Sequence, residues 1–156
     1  DTAQVLLKNN IYILNNLNDD YDKKMFNSWH FFYMYMKFVS ENTPLNAKIA
    51  IPPPVRPWLS EGNSVLVRYF LYPRHLVTVE NENGDNTEPE YYLMTKGLWK
   101  AYNDEEYGWP RQEIIASEII YFNPVNYTSQ TEKNINFDPN NEKNKYGWGL
   151  IKVKKI

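Results

Sequence analysis

The chain predicts an α/β fold: a small mixed sheet built on a βαβ unit, with N-terminal helices packed on one face. Three observations carry this expectation. Apolar spacing alternates along the chain between the helical period and the two-residue period of strands, the pattern of helix-on-sheet layering. Between residues 47 and 80 a short apolar run, a capped helical stretch and a second apolar run follow in order, as strand, crossover helix and strand would. Finally, 156 residues that are 42% apolar and 16% aromatic supply one core. Residues 1–156 therefore read as one domain.

Leu7, Ile11 and Leu14, continued by Leu17, fall at helical spacing, so residues 3–17 predict an amphipathic helix ending in Asn18-Asp19-Asp20. A second helix is predicted over 22–41. Phe26, Trp29, Phe32, Met36 and Val39 would share one face of it, and Phe31, Tyr35 and Phe38 the opposite one. A helix apolar almost all round is covered on more than one side. We expect Leu7, Ile11 and Leu14 to pack against residues 26–39, with Phe31, Tyr35 or Phe38 partly exposed at the rim. Any face left over would be an oligomer contact.

Pro44 ends the second helix, because the residue before a proline is pushed out of the α region. Residues 47–51 then read as a buried strand, cut off by Pro52-Pro53-Pro54. Asn63 or Ser64 caps a helix over 63–72, closed by Pro73, and 75–80 forms the next strand, parallel to the first. An exposed loop is expected around Gly84-Asp85. In the strand expected at 90–95, Tyr91 and Leu93 alternate against Tyr92 and Met94. Residues 97–111 read as an irregular surface segment. Residues 114–122 fit helix or strand, and their four isoleucines with Tyr121-Phe122 favour strand. Residues 123–147 are polar and loop-like, and 148–154 make a final strand.

Composition narrows the function classes. Net charge is −2, with 17 basic and 19 acidic residues well mixed, so the basic footprint of a nucleic-acid binder is missing. The sequence has no cysteine, which excludes disulfides, thiolate metal sites and cysteine nucleophiles. Neither His30 nor His75 has a partner at metal-ligand spacing, and no Gly-rich phosphate loop or nucleophile elbow occurs. No metal or cofactor is expected. Asn126-Tyr127-Thr128 fits a glycosylation acceptor, a triplet that arises readily by chance in an Asn-rich chain. The apolar run from Trp29 to Met36, extendable past Lys37 to Val39, is about half of the ~20 residues a membrane span needs. The chain opens at Asp1 without an initiator Met, and we expect a trimmed or processed product whose upstream anchor is not included.

The candidate site lies beyond the first strand of the βαβ unit, since ligands of open α/β sheets gather at carboxyl ends of strands. Arg56, Trp58, Asn63, Ser64 and Arg68 fall there. Two cations and a helix start would hold a carboxylate or phosphate, and Trp58 would stack on a sugar or another ring. The commoner role for such residues is loop packing by Arg56 and Trp58 and helix capping by Asn63 or Ser64. Arg74 and His75 likewise either face an anion or, the favoured reading for Arg74, serve the last carbonyls of the helix.

An aromatic helix, then Asn42-Thr43-Pro44-Leu45-Asn46-Ala47-Lys48-Ile49, then Gly62-Asn63 and Arg68-Tyr69-Phe70-Leu71-Tyr72-Pro73-Arg74, form a recurring pattern. Over residues 22–80 it resembles the small soluble domains attached to multi-pass bacterial membrane proteins of the glycosyltransferase type and their uncharacterised membrane-anchored relatives. The resemblance implies an extracytoplasmic α/β domain that helps bind a carrier or acceptor, with catalysis in a membrane part this chain lacks, and the first expectation is a non-catalytic domain recognising a glycan, lipid-linked sugar or partner protein. It implies contacts at Arg56, Trp58, Asn63 and Arg68 and no catalytic residue. A stand-alone small enzyme using the 52–64 loop, and a surface or filament subunit assembling through 26–39, are the alternative expectations.

Overall fold

The computed structural model describes residues 18–56, 58–78, 88–96 and 108–155. The expected helix over 3–17 and its packing lie outside the described residues, as do residues 79–87 and 97–107 of the loop segments. Helix α1 (Tyr21–Glu41) starts where Asp20 accepts a hydrogen bond from the Lys23 amide at 2.8 Å, satisfying one orphan donor of its first turn. It is not straight. His30 has φ 46° and ψ −124°, and Asp22 bonds both Tyr33 and Lys37. Residues 15 apart in a straight helix stand about 22 Å apart along the axis, so α1 folds back on itself at His30.

That fold corrects the expected faces. Phe26 and Trp29 belong to the first arm, Phe32, Met36 and Val39 to the second, and no single stripe joins them. The second arm is buried on both sides. Phe32, Met36 and Val39 are buried, but so are Tyr35 and Phe38, and Phe31 alone of the expected rim is half-buried.

Strands β1 (Lys48–Ala50), β2 (His75–Val77) and β3 (Tyr91–Met94) run parallel, β1 in the middle, with α2 (Ser64–Leu71) crossing between β1 and β2. The expected βαβ unit is present. Beyond β3 the sheet becomes antiparallel: β7 (Trp148–Val153) pairs β3, β4 (Ile114–Phe122) pairs β7, and β5 (Ser129–Lys133) pairs β4. The order is β2-β1-β3-β7-β4-β5, and β6 (Asn136–Phe137) pairs the first half of β4. Residues 123–147 are thus not all loop, since they hold β5, β6 and the short helix α3 (Glu142–Lys145).

Each face of the sheet has its own core. Tyr91 and Leu93, Ile120 and Phe122, and Leu150 meet the second arm of α1 and the inner side of α2 at Val67 and Leu71. On the other face Met94, Ile119 and Ile151 join Ile114, Ala116 and Phe137. A bulge between Ala116 and Glu118 lets Ile119 share a face with Ile114 and Ala116 despite odd spacing. Helices α1 and α2 lie with the first core, as expected, whereas α3 sits beside Tyr121 on the other face. No described helix is long and apolar enough to cross a membrane.

Candidate functional site

Chain direction diverges at the carboxyl ends of β1 and β3. The chain leaving β1 goes by way of α2 to β2 on one side, whereas β7 and β4 lie on the other side of β3. This is the crevice where open α/β sheets collect ligands. Here the loop after β1 fills it. Trp58 is 1% exposed; its indole N–H donates to the Lys96 carbonyl at 3.3 Å, its ring meets Trp109 edge-on, and the Arg111 guanidinium lies over it. Gly62 is required by close approach, since a Cβ there would stand 2.3 Å from the Pro53 carbonyl oxygen.

The expected site residues therefore part company. Trp58 packs the loop. Asn63 spends its side-chain oxygen on the helix cap, accepting from the Val65 and Leu66 amides at 3.1 Å each. Ser64 opens α2, and Arg56 and Arg68 are exposed. Arg74, by contrast, is buried and serves carbonyls of both helix ends, so the structural reading holds for it: it donates to Ser40 O at 2.5 Å, Thr43 O at 2.7 Å and Leu71 O at 3.4 Å, and to Thr43 Oγ1 at 2.6 Å.

Sequence reasoning missed three polar groups in the same crevice. Glu61 is 8% exposed, and burial pushes its carboxyl above the ordinary range. Its charge acts on Tyr35, whose hydroxyl reaches the Met94 and Gly149 carbonyls at 3.0 and 2.8 Å across the β3–β7 pair. Thr95 and Trp109 bridge backbone to backbone, yet Thr95 Oγ1 and Trp109 Nε1 are buried without a partner among the described residues. Trp109, read from sequence as part of a surface segment, is inside because this bridge pins it beneath Trp58. Among the described residues no cluster of His, Asp and Glu could hold a metal.

Two strands along the same edge, the sheet opens. A groove of about 410 Å³ runs between the β4–β5 turn and the start of β7. Tyr121, Phe122 and Trp148 give it aromatic surface, and Asn123, Thr128, Ser129 and Gln130 wall it with amides and hydroxyls. Trp148 is half-buried and held by the edge of Phe31 at 4.6 Å between centroids. Lys143, the one charged lining residue, covers the Tyr121 ring at 3.7 Å and pairs with Glu132. Tyr121 donates to Asn144 Oδ1 at 2.9 Å, and burial, then Glu132, pushes its hydroxyl up to about 12, so it stays a donor at neutral pH. Ser129 Oγ, the Gln130 side-chain amide, the Asn123 side-chain nitrogen Nδ2 and the Trp148 indole N–H bond to no described residue. The sequence signal was slight: Gly147-Trp148-Gly149, a tryptophan with no large neighbour to bury it, and the Asn123-Pro124 turn. Comparison of the chain with protein-family models, with curated proteins and with solved structures finds no match.

Proposed function

We propose that this chain is a non-catalytic, extracytoplasmic binding domain of a membrane-anchored protein, and that its ligand is a glycan or the sugar of a lipid-linked carrier seated in the Trp148 groove. The membrane-anchored, extracytoplasmic part of this reading rests on the resemblance over residues 22–80, the stretch that folds as α1, β1, α2 and β2. The ligand class rests on one observation: an open groove whose aromatic surface adjoins neutral donors and acceptors that bond to no described residue. A sugar ring has an apolar face for the indole and hydroxyls for Ser129, Gln130 and Asn123. A phosphate or carboxylate would meet only Lys143, which is already engaged by Glu132.

Titration of the chain with a panel of neutral oligosaccharides, followed by Trp fluorescence and backbone NMR shifts, tests this. Binding should move resonances of residues 121–130 and 143–148. Trp148→Ala should abolish it, and Gln130→Ala should weaken it about five- to tenfold, one hydrogen bond's worth. No shift in the groove with any sugar would remove the ligand class.

A second reading, a small enzyme working beside the 52–64 loop, has Glu61 in its favour, a buried carboxyl held toward its protonated form as a general acid would be. Turnover of any panel sugar that Glu61→Gln abolishes while groove binding survives would decide for it.

A further inference from the structure

Helix α2 has apolar residues on two sides but sends only one stripe into the core. Val67 and Leu71 enter the sheet core, and Phe70 wedges against Trp29 of the first arm of α1 and Phe32 and Tyr33 of the second. Val65, Tyr69 and Tyr72, spaced one turn apart, face outward and are 79%, 65% and 77% exposed. The patch does not stop at the helix. Tyr21 lies close to Tyr69, and Trp29, itself exposed, reaches the same surface through Phe70.

We infer that this face, centred on Tyr69, is the surface through which two copies of the chain associate. Its area favours a second copy: these five side chains expose roughly 600 Å² at 150–250 Å² per large aromatic. That is the upper limit for a monomer's largest apolar patch, and with a polar rim it approaches the ~800 Å² per partner of a stable pair. Its chemistry agrees, because tyrosine and tryptophan with few charges is the composition of interface centres. The rim carries both signs, Arg68 from α2 and Asp20 and Asp22 from α1. A mixed rim can complement itself about a two-fold axis, whereas a surface for an acidic or basic partner would carry one sign.

Sedimentation equilibrium from micromolar to millimolar concentration tests the inference. The chain should rise from 18.6 kDa toward twice that mass. Tyr69→Glu and Val65→Asp should each stay monomeric with an unchanged thermal midpoint, both being solvent-facing positions. Ile115→Thr, an exposed site on β4, should still dimerise. A wild-type chain monomeric throughout, or a dimer that survives both α2 substitutions, would overturn it. So would a monomer whose Trp fluorescence shifts to the blue on vesicles of phosphatidylcholine and phosphatidylglycerol, which would give the face to a lipid surface. Groove binding and its loss in Trp148→Ala are read separately, so neither result stands in for the other.

Discussion

Arg74 shows how one side chain holds two helix ends together. The last carbonyls of a helix have no intrahelical donors, and here one buried guanidinium supplies donors to the end of α1 at Ser40, to Thr43 just beyond it, and to the end of α2 at Leu71. Replacing it with Ala orphans buried acceptors, and we expect a loss of about 3 kcal/mol by urea unfolding, with Arg74→Lys recovering only part because one ammonium cannot span the set. Glu61 makes a pH-dependent contribution of the opposite kind. Burial raises its carboxyl in the folded state, so the fold keeps this proton where the unfolded chain has released it. Stability from this group is therefore full below the unfolded value and falls as pH rises through the folded one. Glu61→Gln should match the wild type in thermal midpoint near pH 4 and exceed it near pH 7. An equal gap at both pH values would mean that the carboxyl does not titrate in this window. The carbonyls at the end of α2 are legible in sequence as partners of Arg74, but its reach to Ser40 and Thr43 is not, and a Glu beside a Gly is ordinary until its burial is known.

At the scale of elements, periodicity located α1, β1, α2, β2, β3 and β7 because each has enough apolar residues at one spacing to fix its type. It failed where the backbone departs from its period. The His30 fold is unmarked by glycine or proline, so the sequence reads one long helix and pairs Phe26 and Trp29 with residues from the other arm. A non-glycine residue at φ 46° costs on the order of 1–3 kcal/mol that neighbouring contacts must offset. His30→Gly should then be neutral or stabilising by up to ~1 kcal/mol in urea unfolding, while His30→Val should be destabilising. In β4 the bulge breaks strict alternation, which is why 114–122 fits both periods in sequence. Strand β5, Ser-Gln-Thr-Glu-Lys, has no apolar alternation at all, since it is an exposed edge and owes its form to the ladder with β4.

Over the whole molecule, the sheet grades from protected centre to open edges. β3, β7 and β4 contribute to both cores, whereas β2 and β5 are edges with no fully buried residue. Amide exchange should be slowest at Leu93, Leu150 and Ile151, approaching global unfolding, and fastest among the strands in β5. Uniform protection across β5 and β7 would contradict this grading. An all-round apolar helix needs a second cover, but the exposed apolar face belongs to α2. The second arm of α1 has its cover from its own sheet and from α2, leaving Trp29 of the first arm as the exposed large apolar side chain of residues 26–39.

The fold class and the βαβ order follow from local period, proline punctuation and strand direction, all of which are written in the sequence. What the carboxyl edge of the sheet contains depends on tertiary packing. Trp58 and Trp109 are brought together from loops about fifty residues apart and close the crevice, while Tyr121, Gln130 and Trp148 converge from three strands to leave a groove open. Such convergence depends on strand register and loop packing, both of which are set by contacts between residues far apart in the chain.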